Sequence, residues 1–181
     1  MKKLKLPLTE EQRKELRAGD YVLLSGTVYT ARDAAHKRLH EMIRKGEELP
    51  VDLEDACIYY VGPTPAKEGQ AIGSAGPTTS ARMDPYTPEL IQLGLRGMIG
   101  KGKRDEAVKE AIQEYGAIYF VTVGGAGALL SHCIKERKPV AFEDLLSEAL
   151  TELQVEDFPC YVGIDTCGND IYDEEEGEKQ R

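Results

Sequence analysis

The sequence predicts an α/β domain in which helices flank a mixed sheet. Strand-like runs rich in β-branched residues recur along the chain, and amphipathic helical patterns lie between some of them. The two types do not alternate strictly and several connections resemble hairpins, which argues against a doubly wound parallel sheet. With 181 residues and 41% hydrophobic content, the chain can bury one good core. We therefore predict a single domain at residues 1–172 and an acidic, disordered tail at residues 173–181.

The first half of the chain is predicted to supply two helices and several strands. Alternating leucines predict an edge strand, and Thr9 followed by Glu and Gln residues predicts a capped short helix. Apolar residues at helical spacing after Thr30, the predicted cap, indicate an amphipathic helix that Gly46 ends. The predicted elements are a strand at residues 4–8, a helix after the cap Thr9, a strand at 21–30, a helix at 31–47, a core strand at 56–66 and a turn with a short strand at 67–73.

The second half of the chain is predicted to contain further helices and a closing hairpin. Thr87 as N-cap, Pro88 at the first helical position and Glu89 in the first turn are typical of a helix start. The predicted elements are a turn at residues 83–86, a helix at 88–95, a strand and turn at 97–102, a helix at 104–116, a strand, glycine loop and helix at 117–136, a helix at 142–153 and a hairpin at 158–172 whose turn is 167–170.

The charge of the chain excludes several classes of partner. Its net charge of −9 and pI of about 5 argue against a nucleic-acid or membrane-surface partner, because phosphate binding requires a basic face. No apolar run approaches the roughly 20 residues that a membrane span needs. The basic N-terminus lacks the apolar core of an export signal. We therefore expect a cytoplasmic protein that binds neither nucleic acid nor membrane.

The four cysteines are expected to be free thiols, as is usual inside the cell. No pair has the C-x2-C spacing of a zinc or iron–sulfur site, so we expect this chain to bind no metal. Cys57 and Cys133 have the character of small buried hydrophobes. Cys160 and Cys167 flank a predicted strand, and their roles stay open.

Polar groups are concentrated at residues 73–103. The hydroxyls of Thr78 and Thr79 precede Arg82, and the stretch ends in a turn in which glycines flank Lys101. Hydroxyls, backbone N–H groups, a guanidinium and an ammonium on tight loops suit a small carboxylate or phosphate. The sequence therefore predicts an anion-binding centre here. The chain offers no Ser-His-Asp grouping and no evident strong base, so the stretch resembles one half of an active site.

The start of the helix at 31–47 carries a second group of candidates. Arg32 follows a strand end, where open α/β sheets bind their ligands, and a cation at a helix N-terminus opposes the macrodipole. Arg32 is therefore either a ligand-binding residue or a solvated surface arginine. His36 and His40 are four residues apart, but the residues between them do not form H-E-x-x-H, so surface positions are favoured over a metal pair. The loop at 124–127 departs from the dinucleotide fingerprint; it either offers N–H groups to an anion or allows close packing.

Several motifs together resemble a known family. They are GTVYTARDAAHKR, YYVGPTPA, IGSAGPTTSARMDPYTPELIQLGLRGMIGKG, YFVTVGGAGALLS and YVGIDTCGNDIY. From about residue 20 to 172, the chain is similar to the β subunit of class I iron–sulfur fumarate hydratase and L-tartrate dehydratase. The resemblance implies a swivelling β/β/α domain with a mixed sheet and flanking helices.

The resemblance also implies a division of labour between two chains. A separate α subunit, or an N-terminal domain in fused forms, is expected to hold a [4Fe-4S] cluster through three cysteines, and this chain is expected to bind no cofactor itself. The implied reaction is the reversible addition of water to a C4 dicarboxylate, with fumarate and L-malate first. L-Tartrate, a methylated substrate or a non-catalytic dicarboxylate-binding module are the alternatives. The αβ unit or the β chain is expected to form a homo-oligomer.

Site residues follow from the same resemblance. Arg32, Arg82 and Lys101 resemble the carboxylate-binding cations of the family. Thr78 and Thr79 resemble its substrate-contacting threonines, and Thr78 is the candidate catalytic residue for proton transfer. The principal base is expected on the α subunit, with or without Thr78, because an unperturbed hydroxyl is a poor base at neutral pH.

Overall fold

The computed structural model describes residues 1–122 and 126–173. Its strands are β1 (Lys2–Lys5), β2 (Tyr21–Thr30), β3 (Cys57–Tyr59), β4 (Gly97–Gly100), β5 (Ile118–Val121), β6 (Ile134–Ala141) and β7 (Leu150–Ile164). Its α-helices are α1 (Glu10–Glu15), α2 (Asp33–Arg44), α3 (Thr87–Gln92), α4 (Glu106–Tyr115) and α5 (Gly127–Ser131). Two 3₁₀ helices span Ser80–Met83 and Glu143–Glu148. The predicted α/β class, with a mixed sheet and flanking helices, is confirmed.

The sheet closes on itself. Strands β1 to β5 run parallel to their neighbours, whereas β7 is antiparallel to β2, β5 and β6. Because β7 pairs with both β5 and β2, the strands β2, β3, β4, β5 and β7 form a ring. In that ring Tyr59 of β3 lies opposite Thr30 of β2 and Ile99 of β4. The carboxyl ends of four parallel strands, β2 to β5, therefore meet at one edge of the sheet.

Side-chain alternation along these strands builds two cores. The inner face of the ring is filled by a buried cluster that includes Tyr59, Phe120 and Phe158. The rings of Tyr59 and Phe158 meet edge to face with centroids 5.2 Å apart. The outer cluster includes Tyr60 and Tyr119, and there the helices α2, α3 and α4 cover the sheet. Both faces are thus buried, as is usual for parallel strands.

Several local predictions are confirmed. Thr9 forms a capping box with Gln12: Thr9 Oγ1 accepts from the Gln12 N–H at 3.1 Å, and the Gln12 side chain accepts from the Thr9 N–H at 3.0 Å. The strand at 21–30 has the predicted bounds. Asp105 caps α4 at its start, and Gly116 ends that helix with a φ of 73°.

The helix predicted at 142–153 is wrong. Only a kinked 3₁₀ helix forms, in which Leu146 has a φ of 55°, and β7 begins at Leu150. From that point the burial pattern has the period of a strand: Leu153 and Val155 are buried, while Glu152 is less so. Pairing with β2 on one side and β6 on the other outweighs the helical spacing of the leucines.

Two other strand predictions also differ from the structure. Residues 67–73 form no strand, and the chain is instead held by Gly73 N–H donating to Thr64 O at 3.1 Å. Strand β6 was not predicted, because its sequence IKERKPVA is charged and carries Pro139. Charge and proline are characteristic of an edge strand, which is the position that β6 occupies.

Both threonines that were predicted as helix caps have other partners. The N-cap of α2 is Arg32, and Thr30 Oγ1 donates to Ala149 O at 3.1 Å. Thr87 lies inside α3 and donates to Met83 O at 2.8 Å. Each hydroxyl thus joins two segments rather than capping its own helix.

Two of the predicted segments lie partly outside the described residues. The predicted tail begins at Asp173, which pairs with Lys109 at 3.1 Å, and residues 174–181 lie outside the described ranges. Residues 123–125 of the glycine loop also lie outside them. In residues 1–122 and 126–173, no helix combines the length and apolar character that crossing a membrane would require.

Candidate active site

The predicted site residues lie at the edge where the parallel strands end. Arg32 follows β2 by two residues, and Lys101 directly follows β4. The loop that carries both threonines crosses this edge: Thr78 N–H donates to Tyr60 O at 2.7 Å, and Thr79 pairs with Lys101 in an isolated bridge. Open α/β sheets bind their ligands at this end of their strands, and ligand binding by these residues stays a prediction.

Arg32 is positioned by packing and leaves hydrogen-bonding capacity unused. Its side chain lies against Gly62, where an added Cβ would be 2.8 Å from Arg32 Cδ and Nη1. Its Nε is 4.0 Å from Glu148 Oε1 and is buried without a hydrogen-bond partner among the described residues. A buried, unpaired N–H of a cation is costly unless an acceptor arrives, so this geometry suits an anion.

Arg82 reaches the same place from the 3₁₀ helix. Its Nη2 is 2.7 Å from Asp33 Oδ2, which brings Arg82 beside the start of α2. The Arg82 side chain is 54% exposed, and a guanidinium carries five N–H groups. Because Asp33 Oδ2 occupies only part of the guanidinium, other N–H groups of Arg82 stay available for a second acceptor.

Lys101 is fixed through its backbone rather than its ammonium. Its N–H donates to Ser80 Oγ at 3.1 Å, and its carbonyl accepts from the Ser80 N–H at 2.9 Å. Within the described part of the chain, no carboxylate lies within 4.0 Å of Lys101 Nζ. The site therefore brings three cations, Arg32, Arg82 and Lys101, to one edge of a chain whose net charge is −9.

The two threonines differ in exposure. Thr78 is half-buried and Thr79 is exposed. In the ranges that the structure covers, neither hydroxyl has a hydrogen-bond partner, and no histidine or carboxylate is placed to activate Thr78. A catalytic role for Thr78 therefore stays a prediction, and direct contact with a ligand is the role that its geometry supports.

A buried polar network supports the site from below. Arg104, whose side chain is fully buried, donates from Nε to Asp84 Oδ1 at 2.6 Å and from Nη2 to Tyr60 Oη at 3.1 Å. Its guanidinium also stacks between the rings of Tyr60 and Tyr119, 5.1 Å and 4.8 Å from their centroids. Asp84 directly follows the 3₁₀ helix that carries Arg82. The network therefore anchors that helix to the sheet.

Tyr119 extends this network to the lysine turn. Its Oη lies 2.7 Å from Ser80 Oγ and 2.8 Å from Gly102 O. A phenol has one proton, so Tyr119 donates to the Gly102 carbonyl while Ser80 donates to Tyr119. Gly100 is required beneath this turn, because an added Cβ would lie 2.7 Å from Tyr60 Cδ2. This support could not be predicted from the sequence, since its partners come from separate segments of the chain.

The prediction that His36 lies at the surface is wrong. The residue is fully buried, and burial lowers the pKa of its imidazole to about 4. His36 shares a helix face with Leu39 and Ile43, which is the signal that could have revealed its burial. His40 is half-buried and its Nδ1 lies 2.7 Å from Glu89 Oε2. In residues 1–122 and 126–173, no three ligating side chains are grouped to hold a metal.

The cysteines do not fit an iron–sulfur cluster. Cys57 and Cys160 are buried in the inner core of the ring, whereas Cys133 is half-buried and Cys167 is exposed. Burial raises the pKa of the Cys57 thiol to about 12, which disfavours the thiolate that a metal needs. Within the described residues, the four cysteines are therefore not grouped as ligands of a metal cluster.

Comparison with known proteins identifies the family. A family profile described as "Fumarase C-terminus" matches residues 1–175. The chain belongs to this fumarase C-terminal family. The resemblance found in the sequence motifs is thereby confirmed.

Relatives of this fumarase C-terminal chain occur both as separate subunits and as parts of longer proteins. It is 40% identical over 173 residues to a putative L(+)-tartrate dehydratase subunit beta of Methanocaldococcus jannaschii, covering 92% of this chain and 89% of the relative. It is 40% identical to fumarate hydratase 2 of Leishmania major and 38% identical to an aerobic class I fumarate hydratase of Salmonella typhimurium, covering 93% of this chain in each case. The chain spans 30% of the length of each of these two fumarate hydratases.

Proposed function

We propose that the chain is the β subunit of a hydro-lyase that reversibly adds water to a C4 dicarboxylate, with fumarate and L-malate as the substrate pair. The observation that carries this proposal is the convergence of Arg32, Arg82 and Lys101 at one sheet edge. Among the described residues, Arg32 Nε is buried without a hydrogen-bond partner, and no carboxylate lies within 4.0 Å of Lys101 Nζ. Family membership supports the reaction class.

The cations divide the task of holding two carboxylates. A guanidinium binds a carboxylate in a bidentate manner and fixes its plane, whereas an ammonium acts as a point charge. Arg32 and Arg82 would orient the substrate, and Lys101 would balance the second carboxylate. The same contacts would stabilise negative charge that develops when a proton leaves the adjacent carbon. The hydroxyls of Thr78 and Thr79 would contact the substrate beside Lys101.

We propose that an α subunit supplies the rest of the site, including the [4Fe-4S] cluster that the resemblance implies. The described cysteines are not grouped as ligands for such a cluster, and in residues 1–122 and 126–173 no histidine or carboxylate forms a hydrogen bond with Thr78. Two leucines are exposed on segments that follow or contact the strand ends of this edge. Leu129 is 67% exposed on α5, and Leu146 is 82% exposed on the segment whose Glu148 accepts from the Ala34 N–H. Exposed apolar groups around a polar centre are typical of an interaction surface.

Purification of the chain with and without a cluster-bearing partner tests this division of labour. We expect the chain alone to be inactive and the anaerobically reconstituted pair to interconvert fumarate and L-malate, with loss of activity in air. Turnover by the purified chain alone would contradict the division between subunits. Absence of turnover by the loaded pair on fumarate, tartrate and methylated analogues would contradict the hydro-lyase assignment.

L-Tartrate dehydration is the second candidate, because the Methanocaldococcus relative is described as a tartrate dehydratase subunit. L-Tartrate differs from L-malate by one hydroxyl. The ratio of the kcat/KM values for these two substrates in the reconstituted pair distinguishes the two candidate functions. A non-catalytic binding module would instead bind fumarate tightly without a partner, which calorimetry on the single chain measures.

We also propose a cytoplasmic location and a homo-oligomer of the αβ unit. Free thiols, including the exposed Cys167, suit a reducing compartment. Light scattering on the reconstituted pair gives the number of αβ units, and a mass equal to one unit would contradict the oligomer.

A further inference from the structure

Among the described residues, buried side-chain nitrogen and oxygen atoms without hydrogen-bond partners are confined to one turn. In the two ranges that the structure describes, they are Arg32 Nε, Asp33 Oδ1 and His36 Nε2. All three belong to the first turn of α2 and its cap. Native proteins satisfy nearly all buried polar groups, so such a group calls for an explanation. Arg32 and Asp33 stand at the strand edge, where a ligand would supply the missing partners of their side chains. His36 lies behind this edge, so a ligand there does not account for its unpaired nitrogen.

His36 holds the backbone of Arg32. Its Nδ1 is 2.8 Å from Arg32 O, and its backbone N–H donates to the same oxygen at 2.9 Å. A carbonyl oxygen can only accept, so Nδ1 carries the proton. The imidazole is neutral at pH 7, which leaves Nε2 as an unprotonated acceptor inside the protein. The ring is held from the side by Tyr60, with centroids 5.5 Å apart in an edge-on arrangement.

Stability alone does not account for a histidine at this position. The Arg32 carbonyl already accepts the ordinary helical bond from the His36 N–H, so the ring adds a second bond to a satisfied group. At the same time Nε2 is buried with no donor, which costs more than one added neutral hydrogen bond returns. A leucine would fill the same space without an unpaired nitrogen. The residue is therefore explained by what it does to Arg32.

We propose that His36 is a positioning residue for Arg32. Its neutral ring, through the Nδ1–H bond to Arg32 O, fixes the backbone from which the Arg32 side chain extends across Gly62 to the site. The inference rests on the proposed function, because it assigns to Arg32 the role of a carboxylate-binding group. His36 itself touches neither the substrate nor the reacting atoms.

Two substitutions distinguish a positioning role for His36 from a role in which its ring only fills space in the core. Asparagine places an amide N–H close to the position of Nδ1, whereas glutamine places its amide further out, near Nε2. In the reconstituted pair we expect His36→Asn to retain a KM close to that of the wild type. We expect His36→Gln to raise KM about five- to tenfold, as the loss of one neutral hydrogen bond predicts, with kcat changed much less. His40→Asn and His40→Gln are the matched controls one turn along α2, and both should leave KM unchanged.

A second measurement does not depend on turnover. The ring nitrogen chemical shifts of the ¹⁵N-labelled wild-type chain should show His36 as the neutral Nδ1–H tautomer at pH 7. A charged ring or an Nε2–H tautomer would overturn the inference, as would equal KM values for His36→Asn and His36→Gln in folded variants. A wild-type pair that binds its cluster but lacks turnover would count against the proposed function, and the nitrogen shifts would still test the inference.

Discussion

Asp33 and Arg82 form an ion pair, 2.7 Å from Oδ2 to Nη2, that joins the start of α2 to the 3₁₀ helix. Arg82, a candidate substrate-binding cation, is thus already paired with a carboxylate of its own chain. A substrate carboxylate that binds Arg82 must therefore share it with Asp33. The pair orients the guanidinium while occupying only part of it.

Replacing Asp33 by asparagine should separate orientation from stability. The pair is half-exposed, so the free energy of unfolding should change by less than about 1 kcal/mol. With Arg82 no longer aimed, kcat of the reconstituted pair should fall by about tenfold. Asp144→Asn is the control, because it removes a bidentate contact with Arg38 that involves none of the candidate site residues. Equal effects of the two substitutions on kcat would refute the orienting role.

Replacing Arg82 by alanine should abolish turnover and leave the fold intact. The side chain is more than half exposed, and its loss removes a donor to the developing charge, which costs on the order of a hundredfold or more in kcat. Arg82→Lys should restore little, because an ammonium does not reproduce bidentate geometry. Circular dichroism checks the fold, and Lys37→Ala on the exposed side of α2 is the control for charge alone. Near-wild-type turnover of Arg82→Ala would remove this residue from the site.

Substitution of Gly62 by alanine should displace Arg32 without touching the ligand. The added Cβ would lie 2.8 Å from both Cδ and Nη1 of Arg32, so the side chain must move. A misplacement of this kind should lower kcat/KM by roughly ten- to a hundredfold. Gly76→Ala is the control, since its Cβ would meet Gly127 Cα at an ordinary 3.5 Å. An unchanged kcat/KM for Gly62→Ala would show that the position of Arg32 is not critical.

His36 should make stability fall as the solution is acidified. Its pKa is lowered from 6.5 to about 4, mainly by burial and to a smaller extent by Arg104, while the bond to Arg32 O and Asp33 act in the opposite direction. The unfolded chain therefore takes up this proton at a higher pH than the folded chain does. The contribution is complete above pH 6.5 and is lost as pH falls towards about 4, by on the order of 3 kcal/mol.

Urea unfolding at pH 7 and pH 5 measures this dependence. His36→Asn should be less sensitive to pH than the wild type, whereas His40→Asn should resemble the wild type, because His40 is half-buried beside Glu89. The His36→Asn variant keeps every other titratable group of the wild type, so the difference between the two proteins isolates His36. An equal change in the free energy of unfolding between pH 7 and pH 5 in both proteins would contradict a neutral buried ring.

The location of the site could be predicted from the sequence because strand ends and loop motifs are local features. Arg32 follows a β-branched strand and Lys101 follows a short apolar strand, and the structure brings these two strand ends to one edge of the sheet. The roles of Asp33 and Asp84 could not be predicted, since their partners Arg82 and Arg104 are brought to them only by tertiary packing.

Errors in the predicted fold have the same origin. The leucines at 145–153 have helical spacing, but β7 is selected by pairing with β2, whose sequence lies far upstream. His36 was misplaced because a histidine is compatible with either environment, and the rings of Tyr60 and Tyr86 that cover it come from other segments. Helices α1 and α4 could be predicted from local propensity, because their caps and apolar spacing agree with the tertiary structure.

Ring closure has a consequence for the order of folding. The backbone N–H of Thr151 bonds to Thr30 Oγ1 at 3.2 Å across a separation of 121 residues, and β7 pairs along the whole of β2. Such pairing gives the chain a high contact order, which slows folding. During synthesis, β2 has an open edge until β7 leaves the ribosome, so the inner core cannot seal before residues 150–164 have emerged. The sheet edge at which Thr30 ends β2 is therefore completed only after β7 has paired.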